Sequence, residues 1–287
     1  IGEYRSAIQH SSKYNSRVEA KALYNLSYVY ERVGNMEKLT TTLLDIMKRR
    51  EFFDVLTGQV ETPARLAATY AYMGKMKESY IFHREASENF NQMVRHKSFK
   101  ASKSEISKSL YYLGLAVYNN GKDDFNSLME KIKPGQKYFL ASAEASKSEW
   151  AKKSTNQLLA NYSNAWKLVE SFEPKGYEND PLAHKKQKHS AQLEMASDMY
   201  DLLHKLKVEE FPMMNVNKQS KAILNKVDKW IRKIEKFALH LDLGPEQIRN
   251  KKVKQRKLMR YIEKPKEPVR INKETVSPKT QMEDPNL

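Results

Sequence analysis

Residues 22–39 read ALYNLSYVYERVGNMEKL, and their pattern returns as PARLAATYAYMGKMKESY over 63–80 and SLYYLGLAVYNNGKDDF over 109–125. The three stretches align on Gly34, Gly74 and Gly121, which lie 40 and 47 residues apart. Eight positions before each glycine stands Leu26, Leu66 or Leu113, and eleven before stands Leu23, Pro63 or Leu110. Between leucine and glycine, Ser27, Ala67 and Gly114 offer the small side chain that lets a neighbouring helix approach closely. Apolar residues three and four apart predict a helix in each stretch. Pro63 suits a helix start. A glycine after the last periodic residue predicts a left-handed C-terminal turn that lets a second helix fold back. Such a second helix is expected from Leu39, Leu43 and Ile46 after Gly34, and from Ser79, His83 and Ala86 after Gly74. A period of this size marks an array of helical hairpins.

Large residue, Leu plus small residue, aromatic and Gly, followed one helix later by small and apolar positions, resembles the tetratricopeptide repeat over roughly residues 20 to 130. Tyr30 and Tyr70 stand where that family places its first-helix aromatic, whereas the third unit has Val117 there and Tyr118 one position on. The units are longer than the usual repeat, His83 occupies an apolar site, and no Pro closes them. The resemblance implies an all-α fold, a right-handed α-solenoid over residues 1–135, with residues 1–14 as the second helix of a truncated preceding unit. Because the chain opens inside a helix and without Met, an earlier segment is expected.

Helical periodicity continues after the repeats, so a C-terminal helical bundle is expected over 136–262 and an extended or flexible tail over 263–287. One long or kinked helix is read through 136–172, with Trp166 on its buried stripe. Helices near 183–208 and 217–241 follow, the latter burying Ile223, Val227, Trp230, Ile231, Ile234, Phe237 and Leu241. The tail carries several Pro and few aliphatics, too few to offset the entropy of ordering it. SEWAKKS, the ESFEP break and EEFP resemble segments that follow repeat arrays in envelope-associated tetratricopeptide proteins of gliding and predatory bacteria, which implies a cell-envelope or periplasmic setting.

Nothing in the residues points to catalysis or to a cofactor. The 287-residue chain has no Cys, which removes disulfides, thiolate ligands and thiol nucleophiles. Its seven His are mostly isolated, and His184 and His189 bracket a Lys-rich stretch that would oppose a bound metal. The nine Gly form no phosphate-binding loop, and no GxSxG elbow occurs. No run of about 18 apolar residues suggests a membrane span.

The chemistry left is recognition. The inner face of a repeat array binds extended peptides through its first helices, and the resemblance puts Lys21, Tyr24, Tyr28 and Arg32, then Tyr72, then Lys108, Tyr111 and Tyr118 on that face. Glu31, Glu61 and Ala68 fall at further matching places. Tyr supplies a rigid contact surface with a polar tip, so a protein partner, as peptide or helix, is expected there. A second reading comes from charge. The net charge is +16, and residues 205–270 hold 19 Lys and Arg against 8 Asp and Glu. On an expected helix over 246–262, Lys251, Lys252, Lys254, Arg256, Lys257 and Arg260 surround a thin apolar line, which fits an anionic partner such as nucleic acid or a membrane surface. No motif for base readout accompanies it.

Overall fold

The computed structural model describes residues 1–11, 16–96, 100–118, 124–176, 180–205 and 218–240. Among the described residues there are ten α-helices and no strand: α1 (Gly2–Ser11), α2 (Ser16–Val33), α3 (Met36–Lys48), α4 (Thr62–Tyr72), α5 (Met76–Arg95), α6 (Lys103–Val117), α7 (Phe125–Ala145), α8 (Glu149–Glu170), α9 (Pro181–Lys205) and α10 (Lys218–His240). Each helix packs on the next, and α4 also packs on α6, as α6 does on α8.

The hairpin turns after α2 and α4 share one geometry. Gly34 and Gly74 have φ of 77° and 75°. The Gly34 N–H donates to the Glu31 carbonyl and the Asn35 N–H to that of Tyr30, at 3.1 and 3.0 Å. Gly74 donates to Ala71 and Lys75 to Tyr70 at 3.1 and 2.9 Å. The same two bonds therefore close the C-terminus of both helices, satisfying carbonyls that the last turn leaves free. An L side chain at such a φ is strained, so Gly34→Ala and Gly74→Ala should each lower stability by about 1 kcal/mol. Urea unfolding of the two variants checks this, and equal losses are expected because the turns match.

The small positions behave as their spacing implies. Ser27 and Ala67 are fully buried. At Gly114 an added Cβ would sit 2.7 Å from the Phe139 ring of α7, closer than real Cβ contacts come. Leu26, Leu66, Leu113 and Trp166 are core residues, while Trp230 keeps part of its ring exposed. On α10, Ile223, Val227, Ile231 and Ile234 are buried as the period predicts.

Four expectations need correction. Pro63 stands in the first turn of α4, but that start is not a fresh one: helical backbone begins at Val55 and passes through a π-helical segment, Thr57–Glu61, into α4. The stretch 136–172 is two helices, because Ser146 and Ser148 take extended backbone and the Ser146 hydroxyl bonds to the Ser148 N–H and hydroxyl. That local pairing competes with the helical ladder. Residue 135 is no boundary in packing: it lies inside α7, and one apolar cluster runs from Tyr118 and Phe125 through Trp166 to Ile234. Finally, α6 ends at Val117, short of the third glycine anchor. Gly121, Leu241, the basic positions Lys251, Lys252, Lys254, Arg256, Lys257 and Arg260, the expected helix 246–262 and the tail 263–287 lie outside the described residues.

Candidate functional site

The π-helical segment shapes the site. Pro63 has no N–H, so an α-helical register would leave the Gln59 carbonyl without its donor. The Asn89 side chain supplies one at 2.9 Å. One residue wider than the α-helical register, the Thr62 N–H donates to the Thr57 carbonyl, which also accepts from the Thr62 hydroxyl at 2.8 Å. The inserted residue shifts the phase of the helix and turns Glu61, 1% exposed, toward α2 and α6.

Glu61 is the hub of a buried cluster. Its Oε1 accepts from the Tyr24 and Tyr28 hydroxyls at 2.7 and 2.6 Å. Its Oε2 lies 2.6 Å from Lys108 Nζ, which also donates to Tyr24 Oη at 2.7 Å. A second pair stands beside the first. Arg65, 1% exposed, donates from Nη2 to Glu31 Oε2 at 2.7 Å and from Nη1 to Ser27 Oγ at 2.8 Å. The Tyr112 hydroxyl donates to Glu31 Oε1 at 2.9 Å. The guanidinium carbon lies 3.9 Å from the centre of the Tyr28 ring, a cation over an aromatic face. Arg65 Nε, buried in the same place, has no hydrogen-bond partner.

These surroundings move the tyrosines. Burial, and then the Glu61 charge, hold Tyr24 and Tyr28 above the usual phenol range. Burial first, with Arg65 pulling the other way, keeps Tyr112 well above it, and burial with Glu31 pushes Tyr111 up to about 12. Arg65, whose burial alone would lower its pKa, is held above its ordinary value by Tyr112, Glu31 and Tyr28. The cluster is therefore two ion pairs and neutral phenols at pH 7.

Of the expected inner-face residues, Tyr24, Tyr28 and Lys108 meet in this cluster and spend their polar atoms internally. Tyr111 packs on Trp150 at the start of α8, 5.7 Å between ring centres, and Trp150 also lies against Tyr112 and Tyr28. Part of the expected aromatic groove is thus filled by the chain's own indole. Tyr118 is buried. Lys21, Arg32 and Tyr72 are exposed.

What remains open between α2, the start of α3, α4 and α6 is a depression of about 100 Å³. Met36 and Leu39 from the start of α3, with Ala68 and Leu115, give it an apolar lining, and Glu31, Arg65, Thr69, Tyr72, Tyr112 and Tyr118 complete its wall. A broader groove of about 630 Å³ lies between the segment Asp54–Gln59 that leads into α4, the end of α5 and the start of α6, and three of its polar groups serve the chain itself. Asp54 accepts from the Thr57 N–H, Asn89 serves Gln59, and Glu105 closes the capping box of α6.

Sequence reasoning passed over Arg65, Tyr112 and Trp150 and gave Glu61 no special weight. The available signal was an Arg inside the apolar run PARLAATY and a Glu two residues before Pro63. Charges at core positions need partners, so each implies a counter-charge elsewhere in the fold, which Glu31 supplies for Arg65 and Lys108 for Glu61. Among the described residues no group of three or more His, Asp or Glu could hold a metal ion, and no helix is long and apolar enough to cross a membrane. Comparison with protein-family models, with curated proteins and with solved structures finds no match to this chain.

Proposed function

We propose that the chain is a non-enzymatic scaffold, a right-handed α-solenoid of tetratricopeptide-like hairpins that holds a peptide or a partner helix on its inner face, in a cell-envelope assembly. The observation that carries this reading is the depression where α2, α4 and α6, first helices of successive hairpins, meet the start of α3, with exposed Tyr72 on its wall. The matching turns at Gly34 and Gly74 support the repeat. Rigid partners of Tyr24, Tyr28 and Lys108 make these residues the support of the face, and contact passes to Tyr72, Arg32 and the depression.

The rival reading is polyanion binding through Lys251, Lys252, Lys254, Arg256, Lys257 and Arg260, favoured by the charge of that stretch. A display screen of unstructured twelve-residue peptides against the full chain separates the two. Enriched peptides should lose about tenfold in affinity with Tyr72→Ala, as an aromatic contact at an interface does. They should change little between low and high salt. No enrichment, or binding that falls roughly a thousandfold from 50 to 200 mM salt, as phosphate contacts do, would reject the scaffold reading.

A further inference from the structure

The outward side of α10 carries one sign of charge. Among the described residues its exposed charged side chains are Lys221, Lys226, Lys229, Arg232, Lys233 and Lys236, with no exposed Asp or Glu between them. The two acids of the helix lie off this side. Asp228 has a buried carboxylate oxygen, and Glu235, half-buried, accepts from the Tyr200 hydroxyl at 3.5 Å. Of the six cations, Lys233 meets the carboxylate of Glu170 on α8 at 3.3 Å, and the other five have no carboxylate partner among the described residues.

Solvation alone does not ask for this arrangement. Lys229 stands three residues from Lys226 and Arg232 and four from Lys233, and Lys236 stands four from Arg232 and three from Lys233. Residues so spaced are neighbours on a helix, and like charges there oppose it. Elsewhere the chain sets opposite charges at the same spacings, as in Lys48 with Asp45 and Lys153 with Glu149. A row that works against its own helix calls for an anion from outside. From Lys221 to Lys236 the helix rises about 22 Å, the axial length of six or seven nucleotide steps of about 3.4 Å. The basic ground continues onto α8, where Lys147 and Lys152 share with Lys226 a hollow of about 430 Å³. Glu149 lines the same hollow and is paired with Lys153 at 3.1 Å. Hydrocarbon is scarce on this side. Ile223, Val227, Ile231 and Ile234 are buried, Ala222 is exposed, and the partly open Trp230 has the Lys233 ammonium 5.0 Å from its ring centre. Protein interfaces are built round aromatic or aliphatic anchors and are depleted in Lys, and a helix lying in a membrane surface inserts an apolar face. A sugar-phosphate backbone is held by cations and hydrogen-bond donors alone.

We propose that the outward side of α10, with Lys147 and Lys152 of α8, binds the sugar-phosphate backbone of a nucleic acid without reading its bases. The inference stands apart from the scaffold reading, since it uses another surface and needs neither the inner-face depression nor the envelope setting. Fluorescence anisotropy of the full chain with a labelled DNA duplex of about 20 base pairs, and with one of its strands, tests it. Binding should be micromolar or tighter at 50 mM salt and, with about four phosphate contacts, should weaken on the order of a hundredfold by 200 mM. Two duplexes of unrelated sequence should agree within about twofold.

The stretch 251–260 offers the same charge, so two triple variants are compared. Lys229→Gln with Arg232→Gln and Lys236→Gln should weaken binding at least about tenfold and lower the slope of log Kd against log salt by about 2 to 3. It should melt no lower than wild type, because the like-charge row is relieved, so that lost binding is not lost fold. Lys251→Gln with Lys252→Gln and Lys254→Gln should have the smaller effect. Absence of binding at 50 mM salt, an unchanged affinity in the α10 variant, or a larger loss in the 251–254 variant would overturn the proposal. So would tighter binding to polyglutamate, or to vesicles of phosphatidylserine and phosphatidylcholine, than to either form of DNA.

Discussion

Glu61→Ala should be among the most destabilising single substitutions in the chain, on the order of 3–5 kcal/mol, because it strands a buried cation. Lys108 Nζ would lose its counter-ion at 2.6 Å, and the Tyr24 and Tyr28 hydroxyls would lose a shared acceptor. Glu61→Gln keeps an acceptor for the phenols but not the charge, and should fall between Ala and wild type. The informative comparison is Glu61→Met with Lys108→Met. A buried ion pair replaced by packed hydrocarbon is often neutral or better, so the double variant should recover much of what either single variant loses. Urea unfolding at neutral pH measures all five variants. A loss below about 1 kcal/mol for Glu61→Ala, the size of a surface ion pair, would mean that water reaches the cluster.

That prediction turns on residues the sequence only half reveals. The helices, their turns and their small contact positions are legible because they rest on local rules. Gly34 and Gly74 must reach a left-handed φ, and Ser27, Ala67 and Gly114 recur at one offset from their glycine anchors. The cluster is not legible in that way, since Glu61 meets Lys108, and Tyr112 meets Glu31, across long separations that no periodicity encodes. The π-helical segment hides it further. Pro63 signals a helix start by the usual rule, yet here it sits behind an extra residue, and that shift of phase decides which way Glu61 points. Trp150 is lost for a similar reason: it belongs to a helix whose start is set by Ser146 and Ser148, inside a stretch whose apolar spacing runs on without a break. Local pattern gives the elements, and the contacts between hairpins give the site.

Stability should fall steeply above about pH 10, and the four tyrosines of the cluster are the reason. In the unfolded chain a phenol ionises near its ordinary value of about 10. In the folded protein Tyr24, Tyr28 and Tyr112 stay protonated well beyond that point, and Tyr111 does so up to about 12. A folded pKa raised above the unfolded one gives stability that is fully present below pH 10 and is lost as pH rises, because the unfolded state then releases protons the folded state keeps. Each phenol contributes at most about 1.4 kcal/mol per pH unit above the unfolded value. With three of the four rings only partly shielded, a loss on the order of 2–4 kcal/mol by pH 11.5 is expected. Urea midpoints from pH 8 to 11.5 give the curve, and phenolate absorbance shows whether the protons leave with unfolding or before it. Tyr24→Phe with Tyr111→Phe should start from lower stability at pH 8, since Glu61 loses a donor, yet fall less steeply above pH 10. A wild-type curve that stays flat to pH 11.5, or folded-state phenolate absorbance near pH 10 that is higher in wild type than in the Tyr24→Phe, Tyr111→Phe variant, would show that these hydroxyls face water and that the cluster is not closed around Glu61; exposed tyrosines such as Tyr72 and Tyr80 contribute equally to both proteins.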